Sequence, residues 1–478
     1  QQTKGGKMKK IIFILILLIS VVIFANAQND PRKLTFPNLK FKPIKPKVEK
    51  IKEGILMYSV EDKELPIINS YVIFKVGNIH DPIGKEGLAK ITFNLMLRGG
   101  TSELDPNQLE EKIDFLGSKI SVAVNKEYSY INLWSLSKNF LESWNLLENI
   151  LKHPRFDSNR FEVEKNKELE IIRRRWDEPR QIGFTMLNEL IYGKEFPDIR
   201  RTTSSSINSI SMNDIRSFYN NYILNREIII GVAGNIEADK LNKLFRASFK
   251  DWRGVRVKEI NLPKAKLHSK PAVYLINKED LTQAIVCMGH LGLNRLDRDN
   301  AEISVLNFIY GTGGFNSQLL REIRSNRGLA YSAYGRVGLD RDLGTFISFT
   351  QTKNESVAEV IKIMLQIMQN IINNPVSEVE LQTAINYEQN SFIHKFNSPQ
   401  AILLESIILD FEGYPKDYLD TYISRIKKVT ADKVEEMAKR SIRPNELIIL
   451  VVGKKEEIKA QLAELNIGKV IEIELPKE

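Results

Sequence analysis

Cysteine is nearly missing: the 478-residue chain holds one, Cys287. A single thiol excludes an internal disulfide framework and any zinc site built of several thiolates. It lies in the apolar run QAIVCMG and reads as a small hydrophobe in a buried strand. Histidine is scarce as well. His80, His153, His268, His290 and His394 are the five, and no two lie within five residues of each other, so no helical turn offers the paired ligands that zinc sites commonly use. The sequence has no G-x-S-x-G elbow. Its glycine-rich stretches, GTGGFNS (311–317) and GLAYSAYG (328–335), lack the Lys-Ser/Thr of a phosphate loop.

Long apolar runs are absent except at the start. MKKIIFILILLISVVIFANA, Met8 to Ala27, has two lysines, an apolar stretch from Ile11 to Ile19 and the small-residue pattern Ala25-Asn26-Ala27. That is the plan of a secretory signal, cleaved after Ala27, and it predicts export, in a Gram-negative cell to the periplasm. Its apolar core is shorter than the roughly 20 residues of a membrane span. Those first 27 residues carry four lysines and no acid, which leaves the rest +5 of the chain's +9. So small an excess over some 450 residues demands no nucleic acid partner. Arg173, Arg174 and Arg175 follow Glu164, Glu168 and Glu170 in a helical stretch and read as part of a solvated face.

What is present is a duplication. WNLLENILKHP (144–154) resembles MLQIMQNIINNP (364–375). INSISMNDIRSFYNNYI (207–223) corresponds to ISRIKKVTADKVEEMAKRSI (423–442), with Ser211 and Thr430 as helix caps. REIIIGVAG (226–234) corresponds to ELIILVVG (446–453), and the offset stays near 220 residues. Strands are predicted at GILMYSVED, INSYVIFKVG and SYINLWSL, and again at AVYLINK, AIVCMGH and GTFISFTQ. The expected fold is α+β: two repeated sandwich domains, each a mainly antiparallel sheet with helices on one face. The expected divisions are a leader (1–27), an extended Pro/Lys arm (28–47), an N-terminal domain (48–255), a linker (256–271) and a C-terminal domain (272–478).

From about residue 33 onward the chain resembles the pitrilysin/insulinase family of zinc peptidases. The resemblance is carried by VGNIHDPIGKEGLAKITFNLMLRGGT, the helix ending RRRWDEP, VAGNI, and GGFNSQLLREIRSNRGLAYSAYG. In active members the helix after GLA carries H-x-x-E-H, whose histidines grip one ion from one helix face while the glutamate takes a proton from bound water. The resemblance places Lys90, Phe93 and Asn94 at those positions, and Ile171 at the third ligand's. It therefore implies no metal and no catalytic residue in this chain. It also implies that Arg324 and Tyr331 match a pair that holds the substrate near the scissile bond. A planar guanidinium can donate to a peptide carbonyl, and a phenol to a developing oxyanion.

Together these matches imply the non-catalytic subunit of a two-subunit peptidase. Zinc is expected in a partner with an intact H-x-x-E-H, and the substrate is a peptide or unfolded polypeptide. Weak self-association is a further expectation. The alternative is a structural or peptide-binding relative, like the core proteins of the mitochondrial cytochrome complex, with no part in proteolysis. The run 124–136 aligns with the sheet edge that pairs with substrate in the family.

Overall fold

The computed structural model describes residues 44–476; the leader, its cleavage site and nearly all of the arm lie outside them. In the N-terminal half, β1 (Lys47–Lys52), β2 (Ile55–Glu61), β3 (Ile67–Phe74), β4 (Lys119–Val124), β5 (Ser129–Leu136) and β6 (Ile228–Gly234) form one sheet in the order β1-β2-β6-β3-β5-β4. In the C-terminal half, β7 (Val273–Asn277), β8 (Gln283–Leu291), β10 (Ala330–Val337), β12 (Thr345–Lys353), β13 (Ile448–Gly453) and β14 (Val470–Ile473) form a second, ordered β10-β12-β8-β13-β7-β14. Interleaved in sequence with the strands of the second sheet, β9 (Leu293–Asn294) and β11 (Leu339–Asp340) pair as a short parallel ladder. Each large sheet inserts a late strand between two earlier ones: β6 lies between β2 and β3, and β13 between β7 and β8. Those insertions are parallel to β2 and β7, β14 is parallel to β7, and the remaining pairings within the two sheets are antiparallel. The mainly antiparallel, repeated α+β fold is the one that the sequence predicts.

The burial of β6 and β13 explains the rest of the architecture. IIIGVAG and IILVVG are buried at every residue, so neither face of these strands meets water. One face of the first sheet packs against its own half's helices, among them α1 (Leu88–Arg98), α2 (Phe140–Lys152), α3 (Ser158–Arg173) and, later in sequence, Ala238–Ser248, around Trp144, Phe245 and Phe249. Its other face receives a helix from the far half. There Leu403 and Ile407, on Pro399–Phe411, sit on Tyr58, Val60, Ile73, Ile229 and Ala233. The debt is returned by α4 (Pro179–Tyr192), whose Ile182, Met186, Leu187 and Ile191 pack on Tyr274, Ile285, Cys287, Phe349 and Leu450 of the second sheet.

Glycines allow both helices to come close. A Cβ on Gly183 would lie 2.8 Å from Cys287 Sγ and from Ile285 Cγ2. One on Gly231 would lie 2.7 Å from Ile407 Cδ1. Cys287 is wholly buried in β8, as expected, and burial pushes its thiol pKa up.

Ion pairs tie the two halves further. Arg295 grips Glu127 with two bonds of 2.6 and 3.0 Å, Lys126 reaches Asp340 at 2.7 Å, and Arg341 reaches Asp198 at 3.1 Å. Residues 256–272 between the halves contain no helix or strand. Ser211 and Thr430 cap their helices by accepting from the backbone N–H of Asp214 and Lys433. One alignment does not hold. The strand within 124–136 is interior, since β5 is paired with β3 on one side and β4 on the other, and the edge is β4.

Candidate functional site

The helix α1 forms because Leu88, Ile91, Phe93, Leu95 and Met96 make one broad apolar face, all of it buried. It starts at Gly87, whose φ of +103° favours glycine, and stops at Gly99 and Gly100. Asp81 secures the start. Its carboxylate accepts from Gly87 N at 2.8 Å and Ala89 N at 2.7 Å, which satisfies donors that the first turn leaves free. Burial pushes this acid up to about 7, while the two backbone donors and nearby Arg200 pull it down. Burial likewise lowers the pKa of the neighbouring His80 to about 4, so it is a neutral, packed ring.

Lys90, Asn94 and Leu97 fall on the less buried side of α1, at spacings of four and three. Lys90 Nζ lies 2.7 and 2.9 Å from the two oxygens of Glu168 on α3, a residue only 7% exposed. Phe93 points into the core, its ring 5.5 Å from that of Phe74. Ile171 sits one turn beyond Glu168 at the rim of α3 and is 52% exposed. The side chain of α3 that faces the altered motif is thus Glu168. Sequence reasoning missed it, although a lysine on the inner part of a helix calls for a buried acid nearby. These residues do not fit zinc: an ammonium occupies the space that a metal would take beside the carboxylate, and a phenyl ring stands where a general base is needed. Cys287 and His290 offer no substitute, since a spacing of three along β8 puts them on opposite faces.

Arg324 and Tyr331 are brought together. Arg324 lies on a π-helical turn (Arg321–Asn326), and Gly328, with φ +65°, reverses the chain into β10. The pairing of β10 with β12 slips between Ala330 and Ala333, and this bulge turns Tyr331 outward to 78% exposure. The guanidinium stacks over the Tyr331 ring at 4.1 Å and donates to the Tyr331 carbonyl at 3.1 Å. The same guanidinium lies 4.8 Å from the ring of Phe315, which is 60% exposed and placed by a turn at Gly314 with φ +58°. Phe315 is a member that the sequence reading did not include. Hydrogen bonds and ring contacts join residues within each of the two sets; the first belongs to the N-terminal half and the second to the C-terminal half.

Two copies of a helix-backed sheet, one carrying the ion-paired helix α1 and the other an exposed Arg/Tyr stack, define a duplicated α+β class of protein. Residues 56–198 match the family model described as insulinase (peptidase family M16), and residues 209–387 match the one described as the peptidase M16 inactive domain. The chain belongs to the insulinase family. It is 23% identical over 408 residues to a Helicobacter pylori protein named "Non-peptidase homolog YmxG", covering 84% of this chain and 92% of that one. It is 22% identical over 381 residues to the "Uncharacterized zinc protease YmxG" of Bacillus subtilis, covering 78% and 90%. Among solved structures it resembles a peptidase M16 inactive domain from Pseudomonas fluorescens, with a TM-score of 0.76 at 21% identity over 86% of this chain and 98% of that one.

Proposed function

We propose that this chain is the non-catalytic subunit of a heteromeric zinc peptidase, exported to the periplasm, and that it contributes substrate binding and transition-state contacts to a zinc-bearing partner. The observation that carries this reading is the contrast between the two sets of residues. Lys90, which the resemblance aligns with a metal ligand, is ion-paired with Glu168, whereas Tyr331 and Phe315 stay exposed around a guanidinium. Exposed aromatic surface stacked on a cation is an arrangement suited to contact with another molecule. The name of the Helicobacter relative, a non-peptidase homologue, agrees with it.

Reconstitution tests the reading. The purified chain alone cleaves nothing; mixed with a family member that carries H-x-x-E-H, it raises peptide turnover. Arg324→Ala and Tyr331→Phe then lower the turnover of the mixture by about a hundred- to a thousandfold, the range for loss of one donor to a developing oxyanion. Full turnover with both variants would favour the second reading, a structural or peptide-binding relative. That reading is supported by Arg324 already donating to its own chain at the Tyr331 carbonyl.

A further inference from the structure

A cleft of about 570 Å³ opens where α4, lent by the N-terminal half, crosses β10 and β12 of the C-terminal half. Its cations are not equivalent. Lys126 is paired with Asp340 and Arg201 with Glu189. Arg180 and Arg336, both exposed and both lining the cleft, have no acidic partner among the described residues. Arg180 lies against aromatic rings: its guanidinium is 5.4 Å from the Phe184 ring and 4.9 Å from that of Phe349, and those two rings stack at 5.2 Å. A cation–π contact of this kind uses no N–H donor, so the guanidinium keeps its N–H groups for a ligand. Across the sheet, Arg336 is the register partner of Ile347 on β12, two residues from Phe349, and Tyr334, the partner of Phe349, completes the wall between the two arginines.

We propose that this cleft is a carboxylate-binding subsite, in which Arg180 and Arg336 take an acidic side chain or the free C-terminus of a peptide, with the apolar part of the ligand on Phe184 and Tyr334. Asp198 and Asp340 also line the cleft but are paired with Arg341 and Lys126, so a carboxylate entering it finds two guanidiniums still able to offer charge-assisted hydrogen bonds. That the carboxylate belongs to a peptide rests on the proposed function; the anion chemistry does not.

The test uses the whole chain without a partner and measures fluorescence anisotropy of labelled Gly-Ser-Leu-Asp-Leu-Asp-Ser-Gly, its Asn-for-Asp counterpart, and the C-terminally amidated form of each. Binding by the amidated Asp peptide assigns the site to side chains; binding by the free-acid Asn peptide assigns it to the C-terminus. Either supports the subsite. Arg180→Gln and Arg336→Gln each weaken binding by about ten- to a hundredfold, and the double variant Arg180→Glu/Arg336→Glu shifts preference to a peptide with Lys in place of Asp. Equal binding of the amidated Asn peptide, or unchanged binding by both single variants, overturns the proposal. Arg324→Ala tests the proposed function separately, through turnover of the reconstituted mixture, whereas the subsite is read from peptide binding by the chain alone, so failure of one reading is distinguishable from failure of the other.

Discussion

Lys90 ties α1 to α3 through its contact with Glu168, and the strength of that tie depends on which end is wet. The carboxylate is almost buried, whereas the lysine is 44% exposed at its side chain, so solvent weakens the attraction without relieving the acid's need for a partner. Lys90→Ala should therefore destabilise the chain by about 1–2 kcal/mol, chiefly through the carboxylate left without its partner. Urea unfolding checks it; an unchanged midpoint would mean that Glu168 finds water.

His290 makes a sharper prediction at the same scale. Its Nε2 accepts from Arg443 N at 3.0 Å, its Nδ1 lies 2.7 Å from the Leu291 carbonyl and its ring stacks on Phe346, so the folded chain needs the neutral ring. Burial, helped by Arg443, lowers its pKa from 6.5 to about 4. Below pH 6.5 the unfolded chain gains a proton that the folded chain refuses, so stability falls as the pH drops from 6.5 toward 4. The full effect is on the order of 3 kcal/mol. His80 acts in the same direction, and Asp81, raised to about 7, opposes both by holding its proton when folded. His290→Gln, which keeps an acceptor for Arg443, should lose less stability than the wild type between about pH 7 and about pH 4.5. Identical losses would contradict the assignment. At this scale Arg324 and Tyr331 were legible from their motif. Phe315 and Glu168 were not, because each matters through a contact that the spacing of residues does not encode.

Among elements, the strands and the lent helices differ in how far the sequence reveals them. β6 and β13 stand out as unbroken apolar runs closed by glycine, and a strand covered on both faces reads in that way. β4, KISVAV, is mostly half-buried and blends into its surroundings, which is why the sequence points to the neighbouring β5 as the edge. The apolar face of α4 is visible as a period, but a period carries no address: nothing in PRQIGFTMLNELIY says that its sheet belongs to the other half. The glycines beneath the exchanged helices give the prediction here. At Gly183 an added Cβ meets a sulfur and the branch of a stiff strand isoleucine, whereas at Gly231 it meets the far end of a longer side chain. Gly183→Ala should cost about 1–3 kcal/mol and Gly231→Ala less. Thermal unfolding of the two variants compares them directly, and an equal or reversed order would show that β8 yields more easily than its packing implies.

For the whole molecule, the exchange limits what can be separated. A fragment of residues 44–255 would leave Tyr58, Val60, Ile73 and Ile229 uncovered and would carry the apolar face of α4 with nothing to pack on. Such a fragment should aggregate when expressed alone, as should 272–476, while the two expressed together should assemble and show native circular dichroism. A monomeric, cooperatively folding single fragment would count against this. The ion pairs of Glu127, Lys126 and Arg341 act across the same junction.

The traded helices also bear on how such a chain came to exist. A gene half as long, coding for one sheet and one outstretched helix, would make a product obliged to embrace its own sibling before either was complete. Joining two such genes end to end would turn a bond between siblings into one within a single body, and would let the twins diverge.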